Sequence, residues 1–513
     1  MWLDPQTNTI VYDVPDVGKI TSVVQEARHI QNGYVAVPNT LHNCQLMRWL
    51  GFTVPEPMVD YDWPGRFRPF IAQRTTANFL AVHPRAFVLS DMGTGKTLAA
   101  LWAADYIMQR SNSFRCLIVA PLSTLQRVWA DAVFQNFLNR RSCVVLHGDA
   151  GRRRTLLSRS ADFYIVNYDG VHTLRDDLAA RPDIRMVIID EASAYRDFRT
   201  KRHKLARTLL AKRDYLWLMT GTPTPNGPTD AYGMAKLVNN AFGESFMSYQ
   251  NRVMTKLGMW KWVPRPGAHN AAHRLMQPSI RFAIGDCVDL PPCTTQARDV
   301  DLSVEQAKAY KDMKRQLQIT VKEGKPITAV NEGVLRWKLI QISAGAIYGN
   351  DSTIHRISCL PRLKVLREVM EQCNDKIIIW ASLTSVIQML YEELKDYTRV
   401  VIDGSVSPAD RNQAITAFQN ADAPRVLIAH PRTASHGLTL VRATCSIWFT
   451  PTDSTEAYLQ ANARTHRPGQ TKPTTIVQLI GSPVEREIYR RLDANETLQG
   501  LVLALAKGEI NGS

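Results

Sequence analysis

The chain has 513 residues, room for roughly three folding units at ~100–200 residues each. Its 45% hydrophobic and 21% charged residues exclude fibrous and disordered classes. No apolar run approaches the ~18 residues of a membrane span, and the opening MWLDPQTNTIVYDVPDVG is acidic and mixed rather than basic then apolar. The expectation is therefore a cytoplasmic protein, neither exported nor inserted. Sixty-two Lys and Arg stand against 47 Asp and Glu, a net charge of +15, and such a field favours polyanions. The eight cysteines contain no CxxC pair, which fits reduced thiols better than structural zinc.

In chain order, residues 1–65 hold the strand-like TIVYDV and YVAVP and the helix-like LHNCQLMRWLGF, and read as a small N-terminal accessory module. Residues 66–225 alternate short apolar runs (AFVLS, CLIVA, CVVL, FYIVN, MVIID, YLWLMT) with amphipathic stretches, the rhythm of a parallel sheet flanked by helices. Residues 226–360, punctuated by prolines, read as a helical insertion and linker. A second αβ rhythm (KIIIW, RVVID, RVLIA, CSIWF, TTIVQLI) occupies 361–480, and 481–513 reads as a C-terminal helical brace. The fold class is α/β.

The most informative segment is AFVLSDMGTGKTLAALW, a buried strand, a loop and then an apolar helix. In the loop of Asp91, Met92, Gly93, Thr94, Gly95, Lys96 and Thr97, the glycines let backbone N–H groups curl around a phosphate. Lys96 reaches the outer phosphates and Thr97 offers a hydroxyl to Mg²⁺. A Mg-nucleotide also needs carboxylates at the end of a later strand. MVIIDEAS supplies Asp190 for the Mg²⁺ shell and Glu191 to deprotonate the attacking water. Thr220, Gly221 and Thr222 end the next apolar run and are candidates for sensing the γ-phosphate. Upstream, the Gln73 amide suits adenine, having both a donor and an acceptor. In QANARTHRPGQ, Gln460, Arg464 and Arg467 are spaced by four and three, as if projecting from one helix face, and the two arginines are candidates for stabilising a transferring phosphoryl group.

Taken together, these motifs resemble the superfamily 2 helicase-like ATPases, and within them the Swi/Snf-type double-stranded DNA translocases. The resemblance runs from about Arg68 to about Leu492 through PFIAQ, DMGTGKT, APLSTLQRVW, VNYD, IDEAS, TGTPTPN, Arg281, LPP, LSVEQAKAY, IIIWASLT, Asp403-Gly404, ASHGLTL and QANARTHRPGQ. It implies two RecA-like parallel-sheet lobes in tandem along the chain, ATP and Mg²⁺ as ligands, and ATP hydrolysis in the cleft between the lobes. It also implies Gly437 at that cleft, Arg464 and Arg467 as an arginine-finger pair, and Gln460 as a coupling residue. Ser123, Thr124, Asn167, Tyr168, Ser382, Thr384, His430, Arg432 and Thr433 are implied to lie along the backbone of duplex DNA, bound without sequence preference by a monomer. Departures are Ser193, where the family commonly has His after the acidic pair, and Phe449-Thr450-Pro451, where many members have Trp-Asn-Pro. With its short insertion, the chain looks like a compact prokaryotic or viral member.

Two other readings stand beside the translocase: a strand-separating DNA or RNA helicase, and a nucleic-acid-binding scaffold with a decayed ATPase. The intact Lys96, Thr97, Asp190, Glu191, Arg464 and Arg467 speak against decay. Trp260 and Trp262, flanking Lys261, read as packing of the insertion rather than as a strand-separating wedge. The basic clusters Arg152 to Arg154 and Lys201 to Lys204 with Arg207 read as solvated faces or as non-specific attraction for phosphate.

Overall fold

The computed structural model describes residues 1–492 apart from 32, 67, 111–113, 257–261, 323–328, 349–353 and 435–438. The contacts of these residues divide into two compact units, 1–287 and 288–492.

The first unit opens with a four-stranded antiparallel sheet, ordered Trp2–Asp4, Thr9–Asp13, Tyr34–Pro38, Arg28–His29. Alternate residues Ile10, Tyr12, Val35 and Val37 turn inward and meet Cys44 and Met47 of the helix Leu41–Trp49. Thr40 starts that helix by accepting from the Asn43 amide, the usual service of a hydroxyl at an N-cap. Gln45 fastens the module to the rest of the unit by donating to the Ala81 carbonyl at 2.8 Å.

The main sheet of this unit has seven parallel strands in the order Ser279–Ile280, Arg85–Val88, Tyr215–Met219, Ile184–Ile189, Arg115–Ala120, Phe163–Asn167, Cys143–Val145. Helices cover both faces, so both sets of alternating side chains are apolar. Phe87, Leu117 and Val119 enter one core, and Ala86, Val88, Cys116 and Ile118 the other. The helix Lys96–Gln109 is buried along most of its length and includes Asp105, fully buried. That carboxylate is compensated by Arg141 at 2.6 Å, Arg140 at 3.0 Å and the Tyr61 hydroxyl at 2.6 Å, as a buried charge must be.

The second unit contains six parallel strands ordered Cys293–Asp299, Thr474–Ile480, Ala443–Trp448, Lys376–Trp380, Val426–Ala429, Arg399–Ile402. Ile377 and Ile379 pack on one side and Ile378 and Trp380 on the other. The chain is thus α/β, with two parallel-sheet lobes in sequence, and each apolar run read as a sheet strand is one.

Residues 226–360, expected as a helical insertion and linker, do hold the helices Asp230–Val238, Phe246–Val253 and Ala268–Leu275, whose Met234, Tyr249 and Leu275 join the first core. They also contribute a strand to each lobe, Ser279–Ile280 to the first sheet and Cys293–Asp299 to the second. Neither announces itself. The first is two residues long, and the second is exposed along its whole length. Trp262 lies half-buried in a hairpin of Met254–Lys256 and Trp262–Pro264, while Trp260 and Lys261 fall outside the described residues. Of the segment 481–513, helical residues 483–492 pack Ile488, Tyr489 and Leu492 against the second sheet.

One buried ion pair organises the second lobe. Arg362 meets Glu485 at 2.8 Å, the two side chains being 1% and 0% exposed, and also donates to the carbonyls of Ser343, Phe449 and Leu479. Four separate stretches of chain are thereby tied to one guanidinium. Removing it leaves the Glu485 carboxylate buried and uncompensated. Arg362→Ala is therefore expected to destabilise the lobe by ~3–5 kcal/mol, measured as a shift of its urea unfolding transition, with Arg362→Lys recovering only part of the loss.

Candidate functional site

In a parallel sheet all strands end at the same edge, and in the first lobe the candidate residues follow those ends in spatial sequence. From Arg85–Val88 across to Phe163–Asn167 they are the 91–97 loop, Thr220 to Thr222, Asp190-Glu191, Ser123-Thr124, and Asn167-Tyr168.

The loop takes its shape from Gly93 and Gly95, at φ 86° and 77°. These left-handed positions disfavour side chains, and at Gly95 a Cβ would also stand 2.0 Å from Gln73 Nε2. The Lys96 ammonium folds back to donate to the Ser90 and Asp91 carbonyls, 2.7 Å each, and Lys96 opens the long apolar helix, so the positive end of that helix lies at the loop. Thr94 donates to the Asp91 carbonyl at 2.9 Å. Thr97, in the helix's first turn, is half-exposed. Gln73 is almost fully buried, accepting from the Phe70 amide at 2.9 Å and donating to the Gly95 carbonyl at 3.4 Å. In this conformation its amide braces the loop.

Arg281, a motif residue with no role assigned from sequence, grips the same loop. Its guanidinium lies 3.0 Å from Asp91 Oδ1, and the other Asp91 oxygen accepts from the Ile284 amide at 3.1 Å. Asp91 thus serves as an anchor for the edge strand.

Asp190 accepts from the Trp129 indole at 3.0 Å and from the Glu191 amide at 3.1 Å. Glu191 stands at φ 47° and ψ 55°, left-handed although it is not glycine. Ser193, two residues on, is buried. On the other side, the Thr220 hydroxyl accepts from the Thr222 amide at 3.0 Å, and a Cβ on Gly221 would meet Met92 Cγ at 3.3 Å, so this turn lies against the loop. The hydroxyls of Thr222 and Thr224 are buried with no hydrogen-bond partner among the described residues. Orphaned donors of that kind beside a phosphate loop suit γ-phosphate oxygens or the attacking water. The donor set of Thr97 and Asp190 is also the oxygen chemistry that Mg²⁺ prefers.

Of the residues expected along nucleic acid, Ser123 is exposed, whereas Thr124 is buried and donates to the Pro121 carbonyl at 2.9 Å. The Asn167 side-chain Oδ1 accepts from Arg153 at 2.9 Å, and the Tyr168 hydroxyl donates to the Asp190 carbonyl at 2.8 Å. In the 152–154 cluster, Arg153 is committed to the Asn167 side chain and the Gly148 carbonyl, while Arg152 is exposed, as is Arg154, which pairs with Asp177. Lys201, Lys204 and Arg207 are exposed.

In the second lobe the helix Thr455–Asn462 carries Gln460 and then stops, so Arg464 and Arg467 do not share a helix face with it. They lie on a turn closed from beneath by Gln470. Its Nε2 serves the carbonyls of Val441, Ala443 and Thr465, at 3.0, 3.0 and 3.1 Å, while Oε1 accepts from the Thr471 and Lys472 amides. Gly469, at φ 100°, allows the reversal, and the His466 ring bonds the Pro291 carbonyl at 2.8 Å. Gln460 and Arg464 are buried. Arg467 is half-buried, and loss of water lowers its pKa from the ordinary arginine value, though the guanidinium stays cationic at neutral pH. Ser382 receives the Thr450 hydroxyl as acceptor for its amide at 2.8 Å. Thr384 is exposed, Arg432 pairs with Asp453 at 3.3 Å, and the Thr433 amide donates to the His430 carbonyl. Burial lowers the His430 pKa, favouring the neutral ring. Gly437 lies outside the described residues.

The SNF2-related domain model matches residues 73–374, and the helicase conserved C-terminal domain model matches residues 355–469. The chain belongs to the SNF2-related family. Protein p41 of Acyrthosiphon pisum secondary endosymbiont phage 1 is 24% identical over 469 residues, covering 86% of this chain and 99% of the phage protein. The SWI/SNF-related matrix-associated actin-dependent regulator of chromatin subfamily A-like protein 1 of Xenopus tropicalis is 26% identical over 442 residues. That alignment covers 82% of this chain but 43% of the Xenopus protein. Among solved structures, the Sulfolobus solfataricus SWI2/SNF2 ATPase core in complex with dsDNA aligns at TM-score 0.42 and 20% identity, over 88% of this chain and 96% of that one.

Within this SNF2-related chain, Trp129 in the first unit and Gln470 in the second each support candidate residues of their own unit, and both lie inside motifs quoted above without an assigned role. A tryptophan four residues beyond an apolar turn, and a glutamine just after Pro-Gly, are the only local signals they leave. Gln470→Ala would strip one donor from each of three carbonyls and the acceptor from two amides. It is expected to cost ~1–3 kcal/mol, read from urea unfolding of the second lobe; an unchanged transition would show that water replaces the amide.

Proposed function

We propose that the protein hydrolyses ATP and uses the cycle to track along duplex DNA without reading its sequence. The observation that carries this reading is the adjacency, along one sheet edge, of a phosphate loop, an acidic pair and two further strand-end loops bearing Ser123 and Asn167.

The chemistry follows from the residues. The Lys96 ammonium now rests on neutral carbonyls, which anionic phosphate oxygens would displace, since charge-assisted hydrogen bonds are roughly twice as strong as neutral ones. The N–H groups at Gly93 to Thr97 add the positive end of a long helix. Thr97 and Asp190 would hold Mg²⁺, which offsets negative charge on the outer phosphates when bound. Glu191 takes the proton of the attacking water, and the unpartnered Thr222 and Thr224 hydroxyls orient that water or the γ-phosphate. Arg464 and Arg467 are the candidates for stabilising charge on the transferring phosphoryl group. Gln73 is the candidate for adenine once it releases Gly95.

Duplex DNA as the track is supported by family membership, by the Arg281, LPP and LSVEQAKAY segments, and by charge. Residues 1–65 hold Lys19, Arg28 and Arg48 against Asp4, Asp13, Asp16, Glu26, Glu56, Asp60 and Asp62, so the whole basic excess lies beyond the accessory module. Ser123, Thr384, Arg432 and exposed backbone suit phosphate contacts, which position a protein without specifying sequence. The Xenopus relative is named as a regulator of chromatin; for this chain we propose only the motor activity.

Duplex DNA is expected to stimulate hydrolysis. Glu191→Gln should keep ATP binding and lose ~10²–10⁴ in turnover, the worth of a positioned general base, measured by phosphate release alongside nucleotide titration. Arg467→Ala should cost ~10³–10⁵ if it acts as a finger; an unchanged turnover would remove it from the site. With ATP, the protein should displace the third strand of a DNA triplex while leaving a forked duplex paired. Fork separation without triplex displacement would identify a strand-separating helicase instead.

A further inference from the structure

The acidic pair is held from two sides by side chains to which the mechanism above gives no chemical step. Trp129 is fully buried, and its indole N–H reaches Asp190 Oδ2 at 3.0 Å. It sits in Leu125–Ala130, a π-helical turn that begins where the Leu122–Thr124 turn ends. Such wide turns are rare and occur frequently at functional sites. From the other side, the Tyr168 hydroxyl lies 2.8 Å from the Asp190 carbonyl and 3.2 Å from the Glu191 carbonyl. The Tyr168 ring is itself fixed: the Arg202 guanidinium lies over it at 5.0 Å, and Tyr195 meets it edge-on at 5.7 Å.

What this clamp restrains is unusual. Glu191 adopts φ 47° and ψ 55°, a conformation an L side chain disfavours and keeps only when its surroundings impose it. Turning this one residue left-handed sets where its carboxylate points. Its carbonyl also accepts from the Ala194 amide at 3.1 Å, so the same peptide starts the short turn Ala192–Tyr195. The Tyr168 hydroxyl contacts the carbonyls on both sides of the Glu191 nitrogen–carbon link, which is where a restraint on that rotation must act.

We propose that Tyr168 is a positioning residue for hydrolysis, its hydroxyl holding the Asp190-Glu191 backbone so that the Glu191 carboxylate faces the attacking water while Trp129 fixes the neighbouring Asp190 carboxylate. This rests on the ATPase reading above and revises the expectation that Tyr168 serves chiefly as a DNA contact.

Tyr168→Phe keeps the ring and its stacking and removes only the hydroxyl. The expected result is a turnover lowered about three- to tenfold, the loss of one hydrogen bond, with and without duplex, while KM for ATP and the Kd for duplex stay within about twofold. In the protein without nucleotide, amide exchange over residues 190–196, and at Ala194 above all, should quicken about fivefold. Trp129→Phe should lower turnover as well and serves as the second variant. Unchanged turnover with unchanged exchange would overturn the proposal, as would a weakened duplex Kd with full turnover at saturating duplex, the signature of a plain phosphate contact. A wild-type protein that hydrolyses no ATP would refute the ATPase reading; the exchange comparison needs no turnover and would still decide whether Tyr168 holds Glu191.

Discussion

Everything at the candidate site depends on one geometric constraint: strands of a parallel sheet all point the same way, so their following loops emerge along one edge. In the first lobe Val88, Met219, Ile189, Ala120 and Asn167 end five neighbouring strands. The residues after them therefore stand side by side although they are scattered over more than a hundred positions in sequence. Brackets of this kind are a general property of open α/β sheets, where ligands gather beyond the carboxyl ends. Here the edge is graded. The proposed phosphate chemistry lies toward Arg85–Val88, and the exposed Ser123 and the buried Asn167 lie toward Phe163–Asn167.

The sheets need rigid backing to keep that edge in register, and each lobe obtains it from a buried charge with several partners. Asp105 lies inside the helix that follows the phosphate loop and is neutralised by two arginines and a tyrosine from elsewhere in the first unit. Arg362 does the reverse in the second lobe, one cation collecting Glu485 and three carbonyls. Such networks are costly to leave half-satisfied, which ties each lobe's helices to one arrangement. By contrast, the Lys96 ammonium and the Gln73 amide donate to neutral loop carbonyls.

The correspondence between sequence and structure is uneven for physical reasons. The strands beneath the site were legible because burial on both faces makes them continuous apolar runs, as in CLIVA and KIIIW. Cys293–Asp299 was not, since an exposed edge strand is stabilised by backbone hydrogen bonds to Thr474–Ile480 that carry no side-chain signature. The four- and three-residue spacing of Gln460, Arg464 and Arg467 suggested one helix, yet the helix ends at Asn462 and Gln470 ties down the turn that follows. A spacing is compatible with a helix; whether the helix continues depends on what the next backbone groups bond to.

The sequence by itself determined the α/β class and singled out the proposed phosphate loop and acidic pair, because these readings depend on local chemistry: glycines that curl the backbone, a lysine at a helix start, carboxylates after an apolar run. Tertiary structure alone decided that Arg281 anchors Asp91, that Asn167 is engaged by Arg153, and that Trp129 and Tyr168 grip Asp190 and Glu191. Those contacts join residues far apart in the chain, and their partners are set by strand order. Nothing in the spacing of residues along one segment encodes which strand will lie beside it.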